Sequence, residues 1–97
     1  MGHQPQDDLE AVALRYRHRK DPAPKVTAKG RGHLAEQILE LARAYNIPIR
    51  EDKNLVQVLS LLDLNQEIPP EVYRAVAEIL VFIYRLTMQR QQDQGAD

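Results

Sequence analysis

The chain has 97 residues, a formal net charge of −1 and no cysteine. This length corresponds to one domain, and the lack of cysteine excludes disulfides and thiolate metal sites and fits a reducing cytoplasm better than secretion. No run of about 18 apolar residues is free of charges, and the amino terminus has no apolar signal segment. The composition therefore predicts a cytoplasmic protein without a membrane span.

Positive charge is concentrated in residues 15–31, which hold seven Lys or Arg and one Asp, a sum of +6, so the remainder sums to −7. A basic face can bind phosphates, but Tyr16 is the only aromatic residue in it, so bases have no platform on which to stack. We favour docking on an acidic protein surface and keep nucleic-acid binding as the alternative. The basic docking face comprises Arg15, Arg17, Arg19, Lys20, Lys25, Lys29 and Arg31.

The first half of the chain predicts two strands and one helix. Residues 1–10 are polar and are expected to form a flexible tail. Residues 11–16 predict a strand, with one and a half turns of helix as the alternative. Residues 25–29 alternate and predict a second strand on which Val26 and Ala28 face the same way. A helix over residues 33–45 follows, and Asn46 suits its end because asparagine tolerates the left-handed conformation.

The second half predicts one more strand and two helices. Residues 47–50 predict a brief strand, which Pro48 places at a sheet edge or strand end. Asp52 is a good N-cap for a helix that runs to about Leu62, and Pro70 suits the first turn of the last helix. We therefore expect the α+β class, with a small mixed sheet of three to four short strands packed with three to four helices in residues 11–88. Residues 89–97 are expected to be a flexible tail.

The last helix is more apolar than a small domain needs. One apolar stripe of roughly 100° is typical of a surface helix. Here a first stripe is accompanied by a second row, which either completes the core or remains free for a partner. The first stripe is Val72, Val76, Ile79, Ile83 and Leu86, and the second row is Tyr73, Ala77, Leu80 and Tyr84.

The sequence shows no pattern for catalysis or metal binding. His3, His18 and His33 are far apart, and the pair Glu36 and Glu40 is explained by a solvated helix face. No metalloprotease, EF-hand or four-ligand pattern is present. We expect no enzyme activity, no cofactor and no metal.

Five segments in order carry a resemblance to a known family. Residues 23–30 read APKVTAKG, residues 11–16 AVALRY and residues 66–69 QEIP, and two helical segments cover residues 34–48 and 73–86. These segments resemble the cytoplasmic domain of the export switch proteins of flagella and type III secretion systems, FlhB and its injectisome relatives. The resemblance extends over residues 11–87. It implies a part in recognising export substrates and switching between substrate classes.

The resemblance also implies what this chain does not do. The family cleaves itself at Asn-Pro-Thr-His, immediately before the strand that resembles residues 11–16, and the aligned positions here hold Gln6, Asp7, Asp8 and Leu9. Without the Asn side chain and the strained turn we expect no self-cleavage. Because the family's membrane domain does not precede this region in the sequence, we expect a free-standing counterpart of the fragment that cleavage releases.

From the resemblance and the second apolar row we expect a non-enzymatic adaptor of the export apparatus, in the cytoplasm near the membrane. Its expected partners are export substrates, export-gate membrane proteins and, at an open sheet edge, a strand donor. The alternatives are nucleic-acid binding and a structural paralogue that binds no substrate. The expected docking residues are Ala23, Pro24, Tyr73, Ala77, Leu80 and Tyr84.

Overall fold

A computed structural model describes residues 8–94, with side chains for residues 8–89. In these residues two strands precede three α-helices, which confirms the α+β class in its coarse form. The backbone is helical to Gln94, so residues 89–94, expected in a tail, belong to the last helix. The elements are β1 (Glu10–Arg15), β2 (Lys25–Arg31), α1 (His33–Ala44), α2 (Lys53–Leu59) and α3 (Tyr73–Gln94), with a 3-10 turn (Pro70–Val72) that leads into α3.

The prediction of a mixed sheet with three to four strands is wrong. Within residues 8–94 the sheet consists of β1 and β2, which pair antiparallel. Residues 47–50 form no strand, and Ile47 and Ile49 are 56% and 44% exposed. Pro48 lacks an N–H group, so a four-residue segment around it has too few donors to join a sheet.

A β-bulge changes which side chains of β2 face the core. Leu14 pairs with Val26 and Ala13 pairs with Ala28, so Thr27 is the extra residue of the bulge. Because consecutive residues of β1 point to opposite faces, Val26 and Ala28 do as well. The prediction that both face the same way is therefore wrong.

The two faces of the hairpin pack against different helices. On one face Val26 is fully buried in a cluster with residues of α2 and α3, and Val12 and Leu14 pack against that cluster. On the other face lie small residues and α1, whose Ala35 is fully buried. The core cluster consists of Ala23, Val26, Leu55, Leu59, Leu62, Ile68 and Val76.

The outer edge of β2 is closed by the segment that precedes α3. The amide of Val26 donates to the carbonyl of Gln66 at 3.0 Å, and the amide of Asn65 donates to the carbonyl of Val26 at 2.7 Å. The amide of Ile68 donates to the carbonyl of Pro24 at 2.9 Å. These bonds fix the approach of the chain to α3.

Two predicted helix ends are confirmed. Asp52 caps α2, since its Oδ1 atom accepts from the Leu55 amide at 3.0 Å, although α2 ends at Leu59 rather than near Leu62. Asn46 has a φ of 58° and follows α1. The amide of Ile47 donates to the carbonyl of Ala42 at 2.8 Å, and that of Asn46 donates to Arg43 at 3.2 Å. This is the Schellman pattern, so the backbone that leaves α1 has a fixed direction.

Candidate partner-docking surface

The inner face of α3 is buried over its first half. Val76 is 2% exposed in the core cluster, and Val72, Ile79 and Leu80 pack against it. Further along, Phe82 is 52% exposed and Leu86 is 38% exposed. The helix therefore contributes one end to the core and extends beyond it with apolar side chains.

The second apolar row, which we call the α3 strip, lies mainly at the surface. Tyr73 is 45% exposed, Tyr84 is 65% exposed and Ala77 is exposed. Leu80 is half-buried because it packs against the core cluster. The strip thus has one anchored residue and three residues that a partner can reach.

Ala23 and Pro24, the two docking residues expected outside α3, lie inside the domain. Ala23 is 3% exposed and belongs to the core cluster against which Leu80 packs. Pro24 is buried, and its carbonyl accepts from the Ile68 amide. Both residues are therefore buried and do not offer a surface to a partner.

The basic docking face is partly engaged within the chain. Lys29 Nζ donates to the carbonyl oxygens of Ser60 and Leu62 at 3.1 and 2.6 Å. Arg31 Nη2 lies 3.3 Å from Glu10 Oε1. Within the basic docking face, the exposed cations without an ion pair to another described side chain are Arg15, Arg19 and Lys20, and Lys25 is half-buried.

Arg17 is engaged as well, in the loop between the strands. Its guanidinium donates to both carboxylate oxygens of Asp21, at 3.1 and 3.3 Å, and its amide donates to Asp21 Oδ2 at 2.8 Å. These side-chain hydrogen bonds, followed by the backbone bond, lower the pKa of Asp21 to about 2. Asp21 is buried, and its hydrogen bonds with Arg17 hold residues 17–21 of the loop together. The main role of Arg17 is therefore to stabilise the loop and not to bind a partner.

Sequence reasoning missed a cleft on the inner side of α3, beyond the core. It has a volume of about 430 Å³ and lies between residues 43–50 and residues 79–87 of α3. Ile79, Phe82 and Ile83 line it from the helix, and the Arg50 guanidinium lies 5.9 Å from the centroid of the Phe82 ring. The sequence signal for this cleft is the pair of isoleucines beside Pro48, Ile47 and Ile49, which the strand prediction assigned to a sheet instead.

The positions aligned with the cleavage motif are described in part. Gln6 and Asp7 lie outside the described residues, whereas Asp8 is exposed and Leu9 is half-buried. The carbonyl of Leu9 accepts from the Gly32 amide at 2.7 Å, immediately before β1. Leu9 is thereby held at the start of the hairpin.

Two other kinds of site are absent from residues 8–94. In this part of the chain no three His, Asp or Glu side chains lie close enough together to hold a metal ion. None of the helices described has the length and apolar content needed to cross a membrane.

Comparisons with known proteins show which proteins this chain is similar to. A profile of the FlhB HrpN YscU SpaS Family matches residues 10–83. The uncharacterized protein YlqH of Bacillus subtilis (strain 168) is 46% identical over 77 residues, which are 79% of this chain and 83% of YlqH. The flagellar biosynthetic protein FlhB of Aquifex aeolicus (strain VF5) is 42% identical over 74 residues, which are 75% of this chain and 21% of FlhB. The chain thus spans about a fifth of the FlhB proteins that it matches.

Solved structures share the fold. The PscU C-terminal domain matches with a TM-score of 0.72 and 31% identity, covering 76% of this chain and 95% of that domain. A mutated EscU C-terminal domain matches with a TM-score of 0.73 and 31% identity, covering 75% of this chain and 89% of that domain. With the profile match over most of the described residues, these likenesses confirm the resemblance read from the sequence: the chain belongs to the FlhB HrpN YscU SpaS family.

Proposed function

We propose that this chain is a non-enzymatic adaptor of the flagellar or type III protein export apparatus. In this role it binds a short apolar segment of an export substrate or of a gate component on the α3 strip, at the cytoplasmic face of the membrane. Family membership supports the export role. The observation that carries the docking role is the exposure of Tyr73, Ala77 and Tyr84 on a helix whose inner face already fills the core.

The α3 strip has the shape that a short apolar motif needs. Tyr73 and Tyr84 are eleven residues apart, three turns of helix or about 16 Å, and stand at the two ends of the strip. Ala77 lies between them and leaves room for an apolar side chain. Leu80 is fixed by its packing against the core cluster, so the floor of the site is formed before a partner arrives.

The proposal is tested by a matched pair of variants. Ala77→Asp places a charge in the centre of the α3 strip, whereas Ala75→Asp makes the same change at another exposed position of α3 outside the strip. We expect Ala77→Asp to weaken binding of a purified export substrate or gate domain by tenfold or more, because the carboxylate must be desolvated. Ala75→Asp should bind as the unchanged chain does. Equal affinity of the two variants would falsify docking on the strip.

A second contact is proposed at the outer edge of β1. The Gly32 amide donates to the Leu9 carbonyl, so this carbonyl points towards β2. Because the backbone groups of successive residues alternate in direction along a strand, those of Glu10, Val12 and Leu14 point away from β2. No strand among residues 8–94 covers this edge, whereas residues 65–68 close the outer edge of β2. An extended segment of a partner can add here as a third strand. A peptide matching the strand that precedes the cleavage site in FlhB relatives should compete with such a partner, and failure to compete counts against this contact.

We also propose that the chain does not cleave itself. The residues at the aligned positions, Gln6 to Leu9, offer no Asn side chain to attack its own carbonyl and no Pro-Thr-His turn. The intact mass of the purified chain should stay that of the full sequence after days at neutral pH. A fragment that begins at Asp7, the residue after Gln6, would overturn this proposal.

Nucleic-acid binding finds less support, because Arg17, Lys29 and Arg31 already have partners within the chain. If the remaining cations bound phosphates, affinity for an oligonucleotide would fall steeply between about 50 and 200 mM salt. A structural paralogue is distinguished by the binding of the unchanged chain, which should then bind a purified gate domain but no export substrate.

A further inference from the structure

The outer side of α3, away from the core cluster, carries a third line of apolar side chains. Ala77, Val81, Tyr84 and Met88 follow one another at spacings of four, three and four. Val81 is 48% exposed, Tyr84 65% and Met88 38%. Alternating spacings of three and four are those of a coiled-coil seam. We call these four residues the outer seam, and no element within residues 8–89 packs over it.

Two opposite charges lie along one flank of the outer seam. Glu78 and Arg85 are seven residues apart and each follows a seam residue, so they occupy the same position in successive heptads. Glu78 also lies 3.8 Å from Arg74, but both side chains are largely exposed and such a pair contributes little. Arg85 has no carboxylate within ion-pair distance among the described side chains. Both charges are therefore available to a partner.

We propose that the outer seam binds the outer seam of a second copy of this chain, with the two α3 helices antiparallel. The pairs Ala77–Met88 and Val81–Tyr84 are centred on the same point of the helix, between Phe82 and Ile83. An antiparallel copy therefore brings Val81 opposite the partner's Tyr84 and Ala77 opposite the partner's Met88. The small Ala77 leaves room for the long methionine, so the two helices can approach closely.

The charges beside the outer seam favour a second copy of this chain as the partner and favour the antiparallel direction. In the antiparallel pair Glu78 lies beside the partner's Arg85, and the two-fold axis repeats the contact, so two ion pairs form. In a parallel pair the flank with Glu78 and Arg85 faces the opposite flank of the partner, which carries the partner's Tyr73 and the partner's Leu80. No ion pair forms there. The seam is thus complementary to itself in one direction only.

The seam is short, so the dimer is expected to be weak. Four seam layers bury less than the roughly 1,200 Å² of a standard interface, and we expect association at concentrations of about 0.1 mM and above. The dimer covers Ala77 and Tyr84, which also belong to the α3 strip. It therefore competes with the docking proposed above, but it requires no export partner and does not rest on that function.

Charge reversal tests the proposal in sedimentation equilibrium with the full chain, from about 20 μM to 1 mM at low salt. Glu78→Arg and Arg85→Glu should each weaken association by about tenfold, since each replaces two attractions with two repulsions. The double variant Glu78→Arg/Arg85→Glu should restore it. Glu40→Arg makes the same charge change at an exposed position of α1 and should leave association unchanged. A monomer up to 1 mM, or a double variant that associates no better than the singles, overturns the proposal.

Cross-linking tests the direction, because the chain has no cysteine of its own. Under mild oxidation, a mixture of Val81→Cys and Tyr84→Cys chains should form a disulfide-linked dimer faster than either chain alone. Each single variant places its cysteine opposite a side chain that cannot react. Faster linkage of Val81→Cys chains with one another indicates a parallel pair and overturns the antiparallel arrangement. Neither readout involves substrate, so failure here leaves the export function untouched, and the reverse also holds.

Discussion

The ammonium group of Lys29 lies 2.6 Å from the carbonyl oxygen of Leu62, so a side chain of β2 donates a hydrogen bond to the turn that follows α2. The same group donates to the carbonyl of Ser60 at 3.1 Å. Ser60 is the C-cap residue of α2, and Leu62 lies two residues beyond it. Carbonyls at the end of a helix have no partner within the helix, and a cation near them is favourable. Lys29 therefore joins the sheet to α2 and is not available for docking.

Replacing Lys29 with Met should lower the free energy of unfolding by about 1–2 kcal/mol, because two partly buried carbonyls lose their donor. Urea denaturation followed by circular dichroism measures this loss. Lys20→Met, in the same basic stretch but exposed, should stay within about 0.5 kcal/mol of the unchanged chain. Equal stability of the two variants would show that Lys29 has no structural role.

The pKa of Asp21 makes the stability of the hairpin loop depend on pH. In the folded chain hydrogen bonds from Arg17 lower the pKa to about 2, below its ordinary value of about 3.9 in an unfolded chain. The stability that Asp21 provides is therefore fully present above about pH 5 and is lost as pH falls through about 4 to 2. Asp21→Asn should be less stable than the unchanged chain at pH 7, and the difference should shrink towards pH 2. A difference that does not vary over this range contradicts the assignment.

The fold was predictable wherever a single local signal decided the conformation. Asp52 and Asn46 have side chains that suit the ends of helices, and both lie where this chemistry places them. Val26 and Ala28 could not be assigned in the same way, because a bulge depends on the register of β1, which alternation in one strand does not contain. Around Pro48 the isoleucines favoured a strand, whereas the missing N–H group of the proline opposed one. No strand among residues 8–94 pairs with this segment, so it stays irregular.

Contact between Gly30 and Leu34 gives a test of the packing of α1 on the sheet. A Cβ atom at position 30 would lie 2.5 Å from Leu34 Cγ and 2.9 Å from Leu34 Cβ, so α1 must shift to admit it. Gly30→Ala should therefore cost about 1–3 kcal/mol of stability. In a double-mutant cycle Leu34→Ala should recover part of this loss, since its side chain is 51% exposed and contributes little by itself. Strict additivity of the two changes would contradict the close contact.

The candidate site was predictable in part. Spacing along α3 predicted a second apolar row, but the depth of each residue depends on how far the core extends along the helix. Leu80 is near enough to pack against the core cluster, whereas Tyr84 lies one turn further and is 65% exposed. Ala23 and Pro24 precede β2, and both are buried with a residue distant in sequence: Pro24 accepts from the Ile68 amide, and Ala23 lies in the core cluster with Ile68.

The different depths of Ala77 and Leu80 give a last prediction, which decides how binding data are interpreted. Leu80→Asp removes a side chain that packs against the core cluster and buries a carboxylate in its place, so the free energy of unfolding should fall by about 2–4 kcal/mol. Ala77→Asp changes an exposed position and should cost less than about 1 kcal/mol. Urea denaturation compares the two, with Ala75→Asp as the control for an aspartate on α3. If Ala77→Asp is as unstable as Leu80→Asp, Ala77 is packed and the α3 strip is part of the core. If only Leu80→Asp unfolds readily, lost binding by Ala77→Asp reports on the surface, and lost binding by Leu80→Asp reports on the fold.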